Sequence, residues 1–247
     1  MGPALSAASG SADRLPGVNY RAVVFDLFGT LVPPFPKAEH TIAVEEGAAI
    51  LGLDFAFCHQ LWIDSYHRRI AGEFADMAKY FAWFGDQAGV SVASDACAKA
   101  ATAYEEFTRS SLRPLPGVVD TLSTIVASGR TLGLVTNCTP DAASIFPETE
   151  MGRYFASTVF SSTARVVKPS PASYELVMEG LGVGGDDVLY VGDGSDGELG
   201  GAAAAGMTAV LVTPSLHNTY DQHRPEVENW RGTRIGTIPD VLGLLKI

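Results

Sequence analysis

Positive charge is scarce in this chain. Its 247 residues include 17 lysines and arginines against 28 aspartates and glutamates, which gives a formal net charge of −11. Nucleic acids and anionic membrane surfaces would repel such a chain, so we expect neither of them as a partner. The acidic balance is compatible with an enzyme that acts on a small molecule.

Long apolar runs and paired cysteines are also missing. The longest weakly polar stretch, residues 200–212, contains glycine and is shorter than the ~20 apolar residues that a membrane-spanning helix needs. Cys58, Cys97 and Cys138 are far apart and odd in number, which argues against a disulfide framework and against a zinc site. Residues 1–17 lack the basic start and apolar block of a secretory signal, so we expect a disordered tail and a cytoplasmic protein.

Hydrophobic residues make up 47% of the chain, which is enough for a buried core, and they follow a repeated pattern. Short apolar runs typical of strands buried on both faces alternate with stretches of helical period. The apolar runs are residues 22–26, 131–135, 157–160, 188–191 and 208–212, with a last short strand at 234–235. The helical stretches are residues 118–128, 141–146, 171–181 and 198–205. This alternation predicts an α/β fold with a doubly wound, Rossmann-like parallel sheet and helices on both faces.

About 80 residues after the first strand do not follow this pattern, and we expect them to be entirely helical. Four apolar residues there have the spacing of one helix face, namely Phe74, Met77, Phe81 and Phe84. Proline and glycine clusters at residues 33–34 and 114–117 flank the segment. We therefore predict an all-helical cap domain inserted into the sheet domain. The expected domains are residues 18–32 with 114–247 for the core and 33–113 for the cap.

Polar residues collect directly after the predicted strands, where a doubly wound sheet binds its ligands. Asp26 follows the first strand, and Thr136 and Asn137 follow the second. The acidic segment 193–198 follows the fourth strand, and Lys168 precedes the helix that leads into that strand. A carboxylate, a hydroxyl, an ammonium group and a second acidic cluster would thus meet at one edge of the sheet. Such a set can bind an anion and a divalent metal together.

These segments resemble the sequence motifs of the haloacid dehalogenase superfamily, in which phosphatases dominate. The matching segments are DLFGT (26–30), VTN (135–137), KPSP (168–171) and VGDGSDGEL (191–199). A DxxGT pattern alone occurs by chance, but four elements in this order at strand ends are specific, and the resemblance covers nearly all of the chain after the tail. It implies a hydrolase of a small phosphorylated metabolite, with Mg²⁺ as the cofactor and a helical cap inserted after the first motif.

The resemblance also implies a role for each matching residue. Asp26 would be the nucleophile that attacks phosphorus and forms an aspartyl phosphate, which water then hydrolyses. Lys168 and bound Mg²⁺ would keep the pKa of this carboxyl group low and neutralise the incoming phosphate. Thr136, with backbone amides around Gly29 and Asn137, would hold the phosphoryl oxygens.

A Mg²⁺ site is implied at the same edge. The hard oxygen ligands would be the carboxylates of Asp26 and Asp193 and the backbone carbonyl of Phe28. A further acid would complete the protein ligands directly or through water, and its spacing from Asp193 favours Glu198 over Asp196.

One position departs from the phosphatases of this superfamily, which carry a second aspartate two residues after the nucleophile as general acid and base. This chain has Phe28 there. Because phenylalanine cannot transfer a proton, a step typically worth about 10²- to 10⁴-fold is missing or is supplied elsewhere. An aromatic residue there is similar to the 2-haloacid dehalogenases, so metal-independent dehalogenation is an alternative. Those enzymes also use an arginine, which lies closer to the nucleophile than Arg68 and Arg69 do here.

Phosphonate hydrolysis and binding without catalysis are also compatible with the motifs. Hydrolysis of a phosphonate would need a cap lysine that forms a Schiff base, for which the candidates are Lys37 and Lys79. A non-catalytic binding protein on a hydrolase fold is compatible with Phe28, although Asp26 and Lys168 are both present.

Overall fold

The structure is a computed structural model that describes residues 19–213, 217–220 and 224–247. The predicted tail, residues 1–17, lies outside the described residues. Where the chain is described, it contains no helix whose length and apolar character would let it cross a bilayer. The cysteines are all buried and none forms a disulfide bond.

The described residues form one six-stranded sheet in which every neighbouring pair of strands is parallel. The strands are β1 (Ala22–Phe25), β2 (Thr131–Thr136), β3 (Ser157–Phe160), β4 (Val188–Gly192), β5 (Thr208–Val212) and β6 (Thr233–Ile235). Their order across the sheet is β3-β2-β1-β4-β5-β6. In register, Val24 of β1 lies between Gly133 of β2 and Tyr190 of β4. This topology confirms the predicted doubly wound α/β fold.

Helices cover both faces of the sheet because its central strands are apolar on both faces. Alternate residues of β1 enter two different hydrophobic clusters, Val23 and Phe25 one of them and Ala22 and Val24 the other. The helices of this domain are α6 (Val118–Ala127), α7 (Pro140–Ile145), α8 (Ser161–Ala164), α9 (Pro171–Leu181), α10 (Glu198–Ala204), α11 (Pro225–Asn229) and α12 (Val241–Leu245). The core of the protein therefore has two layers, one on each side of the sheet.

The chain between β1 and α6 is helical, and residues 37–111 are called the cap below. Its helices are α1 (Lys37–Leu51), α2 (Phe55–Asp64), α3 (Tyr66–Ile70), α4 (Met77–Ala88) and α5 (Ser94–Ser111). The carboxylate of Asp54 accepts a hydrogen bond from the backbone of Phe57 (2.9 Å) and begins α2. The predicted domain boundaries at residues 33 and 113 stay a prediction.

Aromatic side chains form most of the cap's interior, where Trp62, Tyr80 and Phe84 are buried. The prediction that Phe74 shares a helix with Met77, Phe81 and Phe84 is wrong. The Asp76 side chain accepts a hydrogen bond from the backbone of Lys79 (2.7 Å) and begins α4 at Met77, so Phe74 lies before that helix. Phe74 still packs into the same cluster from the preceding loop.

The cap lies against the edge of the sheet where the strands end. Thr108 of α5 donates a hydrogen bond to Asp141 of α7, and both side chains are buried. The Arg109 guanidinium forms an exposed ion pair with Glu148 (3.0 Å). A cavity of about 500 Å³ separates the rest of the cap from the strand ends.

Candidate active site

The cavity brings together side chains that are far apart in the sequence. Asp26 follows β1, Thr136 ends β2, Lys168 precedes α9, and Asp196 follows β4, and all four line the cavity. They converge because the strands are parallel, so that their carboxyl ends lie at the same edge of the sheet. This edge is the floor of the cavity, and the cap is its opposite wall.

The Asp26 carboxylate is held at both oxygens. Its Oδ1 accepts a hydrogen bond from Lys168 Nζ (2.6 Å), and its Oδ2 accepts one from Thr30 Oγ1 (3.1 Å). Burial raises the pKa of Asp26, and the charge of Asp193 adds to this, against the opposing effect of Lys168. Burial alone would lower the pKa of Lys168, but the carboxylates of Asp26 and Glu198 outweigh it and raise that pKa. We therefore interpret Lys168 as a permanent cation beside Asp26.

Glu198 lies on the other side of the same ammonium group. Its Oε2 accepts hydrogen bonds from Lys168 Nζ (2.5 Å) and the Tyr190 hydroxyl (2.7 Å), and its Oε1 accepts one from the backbone of Gly194 (2.9 Å). Burial, and then the charge of Asp26, raise the pKa of Glu198 to about 8. Tyr190 has no role in the sequence-based prediction because it lies within the apolar run of β4, where it is indistinguishable from a core residue.

Asp193 is held from the opposite direction. Its Oδ1 accepts hydrogen bonds from the backbone (3.1 Å) and the hydroxyl (2.7 Å) of Ser195. Its Oδ2 is paired with the guanidinium of Arg224, which lies directly before α11 and also donates to the Asp193 carbonyl (3.2 Å). A Cβ atom at Gly29 would lie 1.8 Å from Asp193 Oδ2, so only glycine fits opposite this carboxylate. Arg224 was missed because nothing in its local sequence links it to the motifs.

The chemistry of these groups fits a divalent cation. Carboxylate oxygens of Asp26, Asp193 and Glu198 all lie within 4.8 Å of one another, and all three residues are buried. Within the described part of the chain, these three carboxylates share two cations, Lys168 and Arg224. A further cation would stabilise the charged forms of these buried carboxyl groups, and hard oxygen ligands are those that Mg²⁺ prefers.

Asp196 is outside this cluster. It is exposed and has a left-handed backbone conformation (φ 53°), which directs the chain from β4 into α10. Its Oδ2 accepts hydrogen bonds from Asn137 Nδ2 (2.7 Å) and, across the cavity, from the Tyr66 hydroxyl of the cap (3.3 Å). Burial, and then the charge of Asp196, raise the pKa of Tyr66. The structure thus places Glu198, rather than Asp196, beside Asp26.

The residues expected to hold phosphate differ in whether their hydrogen-bonding groups already have partners. Thr136 is buried and lines the cavity, and its Oγ1 has no hydrogen-bond partner. The Asn137 side chain accepts from the backbone of Lys168 (2.9 Å), so it positions that lysine, and the expected role of the Asn137 backbone amide stays a prediction. The Gly29 N–H donates to the carbonyl of Val32 (2.9 Å) and is engaged within its own loop. Of these side chains, Thr136 has the free hydrogen-bonding capacity.

Aromatic side chains from the cap and from the loops beside it line the cavity. Phe28 lies at the position where phosphatases of the superfamily carry a general acid. Its ring packs against that of Phe35, with ring centroids 5.2 Å apart. Aromatic residues that line the cavity are Phe28, Phe35, Trp62, Tyr66, Tyr104 and Tyr220.

The basic residues of the cap that were named in the sequence analysis differ in burial and in whether they line the cavity. Arg69 is buried and lines the cavity, whereas Arg68 is only partly buried and pairs with Glu73 (2.7 Å). Lys37 and Lys79 are exposed and do not line the cavity. A cap lysine at the reacting centre, which phosphonate hydrolysis needs, is therefore absent from the described cavity.

Two phosphatases show a similar sequence. The chain is 31% identical over 240 residues to phosphoglycolate phosphatase 1 of Pseudomonas aeruginosa, an alignment that covers 94% of this chain and 80% of that protein. It is 34% identical over 127 residues to the phosphoglycolate phosphatase of Escherichia coli K12, which covers half of each chain.

Solved structures share the fold. A 2-haloacid dehalogenase from Pseudomonas syringae pv. tomato superposes with a TM-score of 0.66 at 22% identity, covering 92% of this chain and 98% of that one. A HAD phosphatase from Thermococcus onnurineus superposes with a TM-score of 0.63 at 20% identity, covering 91% and 97%. Both phosphatases and dehalogenases therefore have this architecture.

A family model matches the part of the chain that contains the sequence motifs of the site. The model of the haloacid dehalogenase-like hydrolases matches residues 20–206, which include β1 with Asp26, Lys168 and the acidic segment after β4. The match extends over most of the chain, and the motifs lie at the strand ends in the order that the sequence indicated. The chain is therefore an enzyme of the haloacid dehalogenase-like hydrolase family.

Proposed function

We propose that this protein is a Mg²⁺-dependent phosphomonoesterase that hydrolyses a small phosphorylated metabolite through an aspartyl phosphate. The observation that carries the proposal is the buried Asp26 carboxylate, which lies 2.6 Å from an ammonium group and beside two further carboxylates. The relatives named above are phosphoglycolate phosphatases, which supports phosphate chemistry. The free cysteines are compatible with a cytoplasmic enzyme.

In the first step, a carboxylate oxygen of Asp26 attacks phosphorus, and the bond between phosphorus and the ester oxygen breaks with its electron pair on the departing oxygen. Lys168 lies at the attacking carboxylate and reduces the repulsion between it and the phosphate. The unpartnered Thr136 hydroxyl donates a hydrogen bond to a phosphoryl oxygen. In the second step, water attacks phosphorus, releases inorganic phosphate and restores the carboxylate.

Mg²⁺, when bound, would neutralise part of the charge of the phosphate dianion. Asp26, Asp193 and Glu198 would hold it, together with the carbonyl of Phe28 that the family resemblance implies. Lys168 bridges Asp26 and Glu198, and Arg224 and Ser195 fix the orientation of Asp193. The protein thereby holds its carboxylates in place before the substrate arrives.

Phe28 determines which substrates react well. The ring packs against Phe35, so the position opposite the leaving group offers an apolar surface instead of a proton donor. Without a general acid, the leaving oxygen departs with its negative charge, and esters of acidic alcohols such as phenols should react fastest. We expect kcat for aryl phosphates to exceed that for alkyl phosphates.

Dehalogenation is the second candidate, because Phe28 suits a halide that needs no proton and a dehalogenase is among the similar structures. The test is one assay series that measures phosphate release from a panel of phosphomonoesters with Mg²⁺ or with chelator, alongside halide release from 2-haloacids. Phosphate release that stops in chelator supports the proposal. Release of halide alone contradicts it, and phosphate release that persists in chelator contradicts the role of the metal. If neither phosphate nor halide is released, a non-catalytic binding protein is favoured.

A further inference from the structure

The cap wall of the cavity contains polar atoms that lack hydrogen-bond partners. Among the described residues, seven buried side-chain polar atoms have no partner, and four of them belong to residues that line the cavity. One is the Thr136 hydroxyl on the floor. The other three are His40 Nε2, Arg69 Nε and the Tyr104 hydroxyl, all on the cap. Because buried polar atoms are nearly always hydrogen-bonded, three on one wall indicate a missing ligand group.

Arg69 indicates the charge of the missing ligand group. Its side chain is 3% exposed, and Nη1 donates only to neutral acceptors: the Trp62 carbonyl (2.5 Å), Ser65 Oγ (2.9 Å) and the Tyr80 hydroxyl (2.8 Å). No carboxylate of a described residue lies within ion-pair distance of it. An arginine is always charged, and buried charges are usually paired, so the missing group is an anion.

His40 and Tyr104 add neutral hydrogen-bonding groups beside this cation. Their rings lie 4.9 and 4.6 Å from the ring of Trp62, over which the Arg69 guanidinium is also stacked (4.1 Å). Burial, and then the charge of Arg69, lower the pKa of His40 to about 3, so its ring is neutral. His40 Nδ1 is hydrogen-bonded to Tyr220 (2.7 Å), which leaves Nε2 for the ligand.

We propose that His40, Arg69 and Tyr104, called the cap triad below, bind a carboxylate at the end of the substrate remote from the phosphate. This inference rests on the proposed phosphomonoesterase function. The cavity of about 500 Å³ between the triad and Asp26 has aromatic walls, which suit an apolar spacer such as an aromatic ring. The substrate class is therefore a phosphomonoester of a hydroxy acid whose phosphate and carboxylate are separated by an apolar body.

The experiment compares 4-carboxyphenyl phosphate with phenyl phosphate, which share the spacer and differ in the carboxylate. For the wild-type enzyme, we expect kcat/KM to be at least about tenfold higher for the carboxylated ester, the size of one charge-assisted hydrogen bond. Tyr104→Phe should lower this ratio about tenfold, because the lost hydroxyl would contact the carboxylate that only one of the two esters carries. The variant removes a hydroxyl that has no hydrogen-bond partner among the described residues, so it should fold normally.

Arg69→Met should lower the same ratio to about one, mainly through KM, because it removes the charge. Arg68→Met is the matched control. It removes a positive charge from the same helix, but Arg68 is partly exposed, pairs with Glu73 and does not line the cavity, so the ratio should not change. A ratio of one in the wild type, or an equal loss for both esters in Tyr104→Phe, would overturn the cap triad as a carboxylate site.

A binding measurement separates this inference from the proposed function. Calorimetry in Mg²⁺ gives dissociation constants for 4-(phosphonomethyl)benzoate and benzylphosphonate, which cannot be hydrolysed as esters. The triad predicts at least about tenfold tighter binding of the carboxylated compound and loss of that advantage in Tyr104→Phe. Equal affinities contradict the triad even if phosphate release is confirmed. If no ester releases phosphate but the affinity difference is observed, the proposed function fails and the carboxylate site stands.

Discussion

The carboxylates on the floor of the cavity and the polar groups of its cap wall differ in their hydrogen bonding. On the floor, both oxygens of Asp26, Asp193 and Glu198 accept hydrogen bonds from the protein. On the wall, the cap triad leaves buried polar atoms without partners. The contrast indicates that the protein itself orients the reacting groups, whereas the wall is completed by a ligand.

This division assigns reaction and selectivity to different parts of the chain. The groups on the floor come from the ends of parallel strands, whose positions are fixed by the buried sheet. The groups on the wall come from helices α1, α3 and α5, which pack in a separate hydrophobic cluster. A change in the cap can therefore alter which substrate fits without displacing Asp26.

The largest expected effect is on the floor. Asp26→Asn removes the nucleophile while keeping the size of the side chain, so we expect phosphate release to fall about 10⁴-fold or more. Asp86→Asn, on the exposed surface of α4, is the matched control and should keep the wild-type rate. An unchanged rate in Asp26→Asn would mean that another group attacks the substrate.

Lys168→Met tests how strongly the floor depends on its cations. The variant leaves the buried carboxylates of Asp26 and Glu198 without their shared ammonium group, which should reduce the free energy of unfolding by about 3–5 kcal/mol. Urea denaturation measures this difference. Lys79→Met removes an exposed lysine and should change stability by no more than about 0.5 kcal/mol. Equal stability of the two variants would contradict the charge balance inferred here for the floor.

Measurements of Mg²⁺ binding distinguish which of the two acids after β4, Glu198 or Asp196, is a metal ligand. Glu198→Gln should weaken Mg²⁺ binding about 10- to 100-fold, because Glu198 lies in the buried cluster with Asp26 and Asp193. Asp196→Asn should change the dissociation constant by less than about twofold, because Asp196 bonds to Asn137 and Tyr66 instead. Calorimetry with MgCl₂ gives both constants, and the reverse order would make Asp196 the ligand.

The smallest expected effect is a change in stability when a tyrosine hydroxyl is removed. The same substitution is compared at Glu198 of the floor and on the cap wall. Tyr190→Phe removes a hydroxyl that donates to the buried Glu198 carboxylate (2.7 Å), which should reduce the free energy of unfolding by about 1–3 kcal/mol. Tyr104→Phe removes a hydroxyl without a partner and should leave stability unchanged or slightly higher. Thermal or urea unfolding without substrate measures both, and equal losses would show that the Tyr104 hydroxyl has a partner.

The sequence was sufficient to predict the sheet and the position of Asp26 and Lys168, because apolar runs and strand ends have local signatures. The cluster of Asp26, Asp193 and Glu198 also follows from motif spacing. Two residues that hold these carboxylates could not be found in this way. Tyr190 is hidden in a strand, and Arg224 reaches Asp193 from a loop after β5.

The cap was harder to predict because aromatic residues have the same appearance in a core and in a binding wall. Helical spacing extended the predicted helix back to Phe74, although the side chain of Asp76 begins it at Met77. Arg69 differs from its neighbour Arg68 only in burial and in its partners, which a sequence does not show. The separation of Asp196 from Glu198 likewise depends on the left-handed backbone of Gly194, Asp196 and Gly197.

The proposed mechanism requires a covalent bond between Asp26 and phosphorus. A rapid acid quench of the enzyme with Mg²⁺ and 4-carboxyphenyl phosphate, followed by mass spectrometry of its peptides, detects that bond. We predict one phosphoryl group on the peptide that contains Asp26, removable by hydroxylamine as expected for an acyl phosphate, and none in Asp26→Asn. A phosphoryl group on another residue, or phosphate release by Asp26→Asn at the wild-type rate, would contradict this mechanism.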